Sequence, residues 1–115
     1  MGAWGASAWD NDGAADWYGE LFDATGLARR VEATLNLDPE ESAEEIRAAA
    51  YLLITLGRVY IWPVDDLLRH LALAIEKLEA VKELGEYQEA PSFVSAIDEE
   101  LAVLRSRLKP QRRDA

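Results

Sequence analysis

The sequence predicts an all-α fold, a compact single-domain bundle of four to five helices with an ordered, non-regular N-terminal segment. Three observations predict it. Apolar residues recur at intervals of three and four along most of the 115 residues, which is helical periodicity. Asp, Asn and Pro stand where those stretches begin and Gly where several of them end, the expected punctuation of helices. No stretch alternates apolar with polar residues and no segment repeats. The domain is placed at residues 1–110, with 111–115 as a loose tail. At this length a core can form without disulfide or metal support.

Residues 1–10 hold Gly2 and Gly5 among bulky rings and read as an ordered lead-in. Trp4, Trp9 and Trp17 are three of the four tryptophans, and rings of that size are expected to tie this end into the core. The first helix is predicted to start at Asp10 to Asp12, where three side chains able to cap stand in a row. It carries Ala14, Trp17, Tyr18, Leu21 and Phe22 and ends near Thr25 and Gly26. A shorter helix follows with Leu27, Val31 and Leu35 on one face, interrupted at Asn36 to Pro39.

Asp38-Pro39-Glu40-Glu41 is the clearest helix start. Asp38 can cap, Pro39 suits the first turn, and Glu41 stands where a capping-box carboxylate belongs. The third helix then runs to about Gly57. Its turns from Ala48 to Leu56 are apolar almost all round, which predicts a surrounded helix at the centre of the bundle. Trp62, before Pro63, is expected to cover the joint to the fourth helix. That helix has about twenty residues and a stripe of Val64, Leu67, Leu68, Leu71, Ile75, Leu78 and Val81, with Gly85 as its stop. Gly85 to Pro91 reads as a loop. The last helix, from about Ser92, carries Phe93, Val94, Ile97, Leu101, Leu104 and Leu108 and ends at Lys109-Pro110.

Charge narrows the partners. The chain has 22 acids and 12 bases, a net −10. Met1 to Tyr60 holds 11 acids and 4 bases (−7), and Ile61 to Ala115 holds 11 acids and 8 bases (−3). Nucleic acid binding needs clustered Lys and Arg to displace counterions, so no nucleic acid partner is expected. The basic C-terminal run of Arg105, Arg107, Lys109, Arg112 and Arg113 reads as solvation of a helix end. The longest apolar run, Ala48 to Gly57, is about half of the ~20 residues that span a bilayer, so no membrane is expected. The opening lacks a basic region followed by an apolar segment, and Ala6 breaks the acylation pattern that Met-Gly begins. A cytoplasmic protein is the expectation. Without cysteine, disulfide scaffolds, thiolate zinc sites and cysteine nucleophiles are out.

The candidate site is a binding surface at the N-terminal end, made of Trp4, Trp9, Asp10, Asn11, Asp12, Asp16, Trp17 and Glu20. Asp12, Asp16, Glu20 and Asp23 recur at three and four residues, which puts them on one helix face. Such a face is solvated, docks a basic partner, or converges on a cation; the last needs several oxygens directed at one point. Asp10-Asn-Asp-Gly13 does not fit a calcium loop, because Ala8 and Gly19 fall at its first and twelfth positions, and it reads as turn and cap chemistry. The Trp rings read as core packing or as an aromatic pocket. His70, the single histidine, has Asp66 one turn earlier; both read as a surface pair off the apolar stripe. No catalytic residues, metal site or cofactor are implied.

The opening Met1-Gly2-Ala3-Trp4-Gly5, then Trp9-Asp10-Asn11-Asp12 and Ala15-Asp16-Trp17, resembles the bacterial family called domain of unknown function 4259. Its members start Met-Gly-x-Trp-Gly, with an aromatic before Asn-Asp and then Ala-x-Asp and an aromatic. Glu44-Glu45-Ile46-Arg47-Ala48-Ala49-Ala50 is similar to the family's acidic, then alanine-rich, central helix. The likeness covers the first sixty residues. Beyond them Leu56-Gly57-Arg58-Val59 replaces a Cys-Pro-Gly-Gly-like stretch, and residues 92–108 lack the family's tryptophans. The resemblance implies a small soluble helical domain of bacteria with no established activity.

Together these readings favour a non-enzymatic module whose acidic surface engages a basic protein partner, in the manner of an immunity protein or antitoxin. One alternative is a small metal-dependent or acid–base enzyme using Asp10, Asp12 and Asp16. The other is a structural homo-oligomer, most simply a homodimer, joined through the apolar surplus of the last two long helices.

Overall fold

Six helices build residues 5–108, the part of the chain described by the computed structural model. They are α1 (Asp12–Thr25), α2 (Leu27–Leu35), α3 (Pro39–Leu56), α4 (Val64–Lys82), α5 (Gly85–Gln88) and α6 (Pro91–Leu108). The all-α expectation therefore holds. Trp4 and the 111–115 tail lie outside the described residues. The extents of 52 × 34 × 20 Å give a slab whose short dimension is about two helix diameters.

Local chemistry sets the helix ends. Asn11 is extended, and its Oδ1 accepts the Ala14 N–H at 2.8 Å, satisfying one of the donors that a helix start leaves unpaired. At the other end Gly26 adopts φ 63°, and its N–H donates to Phe22 O at 2.9 Å. That left-handed conformation carries no penalty in a residue without Cβ, and it swings the chain directly into α2. Asp38 caps α3 by accepting the Glu40 N–H at 3.0 Å. Ser42 departs from helical geometry (φ −132°, ψ 35°), so the first turn of α3 is kinked away from the rest.

The packing centre is α4, not α3. Helix α4 packs against α2, α3, α5 and α6, and it buries Leu67, His70, Leu71, Ala74, Leu78 and Val81. Each large aliphatic side chain hidden this way contributes about 1.5–3 kcal/mol. Helix α3 buries Ala43, Ile46, Ala49, Ala50 and Leu53, but Tyr51 is 51% exposed and Ala48 and Thr55 also face outward. Its continuous apolar run is two-thirds covered, because alanines and one tyrosine tolerate solvent where no neighbour sits.

The α4 stripe is also rotated from the expected one. Val64 and Leu68 are exposed, and the buried face is centred nearer His70 and Ala74. Nor does Gly85 stop α4: the helix ends at Lys82, and Gly85 opens the short α5, which buries Tyr87 where a loop is expected. On α6 the core positions are Ile97, Leu101 and Leu104, while Phe93 stays half exposed at the N-terminal end.

His70 is likewise no surface residue. It is buried between the indole of Trp62, whose Nε1–H donates to Nδ1 at 3.1 Å, and Glu32, whose Oε1 lies 2.9 Å from Nε2. An indole N–H only donates, so Nδ1 is the acceptor and Nε2 carries the hydrogen shared with Glu32. Asp66 pairs with Arg69 at 2.6 Å, and Arg69 also reaches Glu32 at 2.7 Å. This set joins α2, the α3–α4 connection and α4 around the fully buried Trp62 ring.

Candidate functional site

Helix α1 is the least integrated of the long helices. Among the described helices it packs closely only on α2, and Phe22 is its single buried residue. The Phe22 ring meets Trp62 edge-on, with centroids 5.1 Å apart. Its sequence, DGAADWYGELFDAT, contains the acids Asp12, Asp16, Glu20 and Asp23 and no base. All four are exposed.

At 3.6 residues per turn these acids occupy one edge of α1, beside a face formed by Ala15, Gly19 and Phe22. That face forms one wall of a groove of about 340 Å³. The other wall is the α3–α4 connection, Val59 to Pro63, with Val64. Most of the groove lining is apolar, and Asp23 is its one charged member. A Cβ added at Gly19 would meet nothing within 4 Å, so the floor is open rather than filled.

The predicted site residues are thus divided among four surroundings. Asp12, Asp16 and Glu20 run along the acidic edge beside the groove. Asn11 is spent on capping. Trp17 sits on the opposite side of α1, 59% exposed, its ring edge-on to Tyr18 at 5.4 Å. Trp17 is therefore not a core residue, because no described helix lies over that side of α1. Trp9 and Asp10 belong to a second cavity. Among the described residues no three His, Asp or Glu side chains are placed to hold a metal ion.

That second cavity, about 370 Å³, lies where the lead-in, the α3–α4 connection and the end of α6 meet. Trp9, Asp10, Arg58, Tyr60, Leu67, Ser106 and Arg107 line it. Gly57 makes the connection possible: its N–H donates to Leu53 O at 2.9 Å, and a Cβ there would lie 2.3 Å from that same oxygen. The chain then doubles back through Tyr60, whose φ of 75° is the only positive value at a non-glycine described residue. Such backbone costs about 1–3 kcal/mol and is retained where surrounding structure enforces it.

Arg58 stacks over the Trp9 ring, 4.4 Å from its centroid. Arg107 is half-buried rather than solvated as expected of the C-terminal basic run. Its Nη2 donates to Ile54 O at 2.6 Å, while its Nε is buried without a partner among the described residues. Burial, and next the nearby Arg58 charge, push the Arg107 pKa below its ordinary value. Arg58, Tyr60, Ser106 and Arg107 escape sequence reasoning because the first two stand 46 to 49 positions from the last two and they belong to no motif. The local signal was Gly57-Arg58 after an apolar run, where a helix must end and a charge must emerge. No protein-family model, curated protein or solved structure matches this chain.

Proposed function

We propose that the protein is a non-enzymatic binding module that holds a basic segment of another protein along the α1 groove. The observation behind this reading is the pairing of an apolar groove with a helix edge of four acids and no base. An apolar anchor flanked by Lys and Arg would fill the one and neutralise the other. Charge complementarity of this kind accelerates encounter and selects partners, and a net charge of −10 extends the attraction beyond the contact. The partner class fits an immunity or antitoxin-like role in the cytoplasm. Kinship with domain of unknown function 4259 belongs to the same proposal and rests on the opening residues and on the Glu44 to Ala50 segment. No described helix is long and apolar enough to cross a membrane.

Two variants test it. Asp16→Lys with Asp23→Lys cancels the charge of the edge, and Gly19→Leu projects a side chain from the α1 wall of the groove, where there is room for it. Removing a mid-helix glycine is also expected to hold or raise stability, which separates loss of binding from loss of folding. The expected result is a basic protein captured at low salt by the native chain, released as screening shortens the Debye length, and retained by neither variant. Equal retention by both variants, or no capture at low salt, would overturn the reading.

A further inference from the structure

The cavity at the end of α6 has an electrostatic character opposite to the rest of the molecule. Arg47, Arg69, Lys82 and Arg105 each meet a carboxylate, from Glu100, from Glu32 and Asp66, from Asp98 and from Glu79 respectively. Arg58 and Arg107 meet none among the described residues, and nor do Arg29, Arg30 and Lys77, but Arg58 and Arg107 alone share one cavity. They converge on one concave space instead, and Trp9 holds one of the two guanidiniums by its ring face. The cavity's one acid, Asp10, lies against Gly5, where an added Cβ would come within 2.8 Å of its Oδ2.

Two guanidiniums brought together with no carboxylate in contact repel each other, and a buried Nε without a partner forfeits a hydrogen bond. An oxyanion between them relieves the repulsion, because the guanidinium fork matches the geometry of carboxylate and phosphate oxygens. The Ser106 hydroxyl lines the same wall but donates its proton to Val103 O at 2.7 Å, so the two guanidiniums are the groups left to meet an anion. A volume of about 370 Å³ exceeds what one phosphate group fills and lies within the range of small-molecule pockets.

We propose that this cavity binds a small organic oxyanion, its phosphate or carboxylate group held between Arg58 and Arg107. The site is separate from the α1 groove, although Val59 and Tyr60 border both, and its ligand has the opposite charge to the partner assigned there. Binding at one can therefore fail while the other stands.

The test is calorimetric titration and thermal melting of the full chain with inorganic phosphate, phenyl phosphate and citrate, each against sodium chloride of equal ionic strength. Saturable one-to-one binding of at least one probe is expected. The preferred probe separates phosphate from carboxylate recognition. Arg58→Gln is expected to weaken that binding at least tenfold and Arg58→Lys to restore part of it. Arg29→Gln, which removes an exposed charge on α2, is expected to leave it unchanged. No heat and no melting shift with any probe would overturn the proposal. So would binding that survives Arg58→Gln, or that falls equally in Arg29→Gln. Arg107→Gln is the secondary variant, because it also removes the hydrogen bond to Ile54 O and its melting curve must be read beside its affinity.

Discussion

Helix α4 hides Leu67, Leu71, Leu78, Val81 and a histidine, whereas α1 hides Phe22 alone and leaves a tryptophan in solvent. Side-chain size does not explain the difference, since the larger rings are on α1. The number of neighbours does. Helix α4 is covered by four other helices and α1 by one, so the same apolar periodicity is core in one place and surface in the other. Buried apolar side chains are concentrated along α4, and α1 keeps most of its side chains at the surface.

Substitutions sharpen that contrast. Leu78→Ala removes a fully buried side chain at the packing centre, and the expected loss is about 2–5 kcal/mol, the range for cavities that neighbours only partly refill. Chemical denaturation measures it. A loss near that of a surface change would mean that α4 is not the centre. Trp62→Phe comes next. It keeps an aromatic ring against Phe22 but leaves His70 Nδ1 buried without its donor, at a cost of about 1–3 kcal/mol. Hydrogen exchange should then show α1 opening ahead of α4, because Trp62 is the contact that ties α1 to the rest.

A pH dependence follows from the same junction. Glu32 is held below the ordinary carboxylate range, first by the Arg69 hydrogen bond and then by that of His70. A carboxylate whose folded pKa lies below its unfolded value contributes stability that is fully present above the unfolded pKa, about 4.3. That contribution is lost as pH falls through the folded value. Because Glu32 is solvent-facing, the effect is screened and smaller than the core losses. Glu32→Gln should flatten the stability profile below about pH 4.5 relative to the native chain, measured by urea unfolding at pH 6 and pH 3. Parallel profiles would remove Glu32 from the account.

What was legible in the sequence divides along the same line. Asn11, Gly26, Asp38 and Pro39 announce helix ends because caps act within a few residues. Val31, Leu35, Ile97, Leu101 and Leu104 are core because their spacing is unambiguous. The central role of α4 was hidden, since α3 is the more apolar of the two and only tertiary contacts show which helix has more neighbours. His70 looked like a surface residue because Trp62 and Glu32, which satisfy it, lie 8 and 38 positions away. Of the predicted site, the edge of Asp12, Asp16 and Glu20 could be read from the helical repeat. The groove beside it could not, because its second wall comes from the α3–α4 connection.

The smallest expected effect bears most directly on α1. Trp17→Ala removes the largest side chain that α1 carries, yet the change in unfolding free energy should stay within about 0.5 kcal/mol, as for surface substitutions with no buried partner. The ring touches Tyr18 edge-on and the residue is more than half exposed, so no core contact is lost. Its position across α1 from Ala15 and Gly19 gives a second expectation: capture of a basic partner should survive Trp17→Ala and fail in Gly19→Leu. If Trp17→Ala instead abolishes capture while Gly19→Leu does not, the docking face is the outer side of α1, with Trp17 as its anchor and the flanking acids as its rim. The contrast with α4 would still hold, since an exposed tryptophan used for docking and a buried leucine used for packing report the same difference in neighbours.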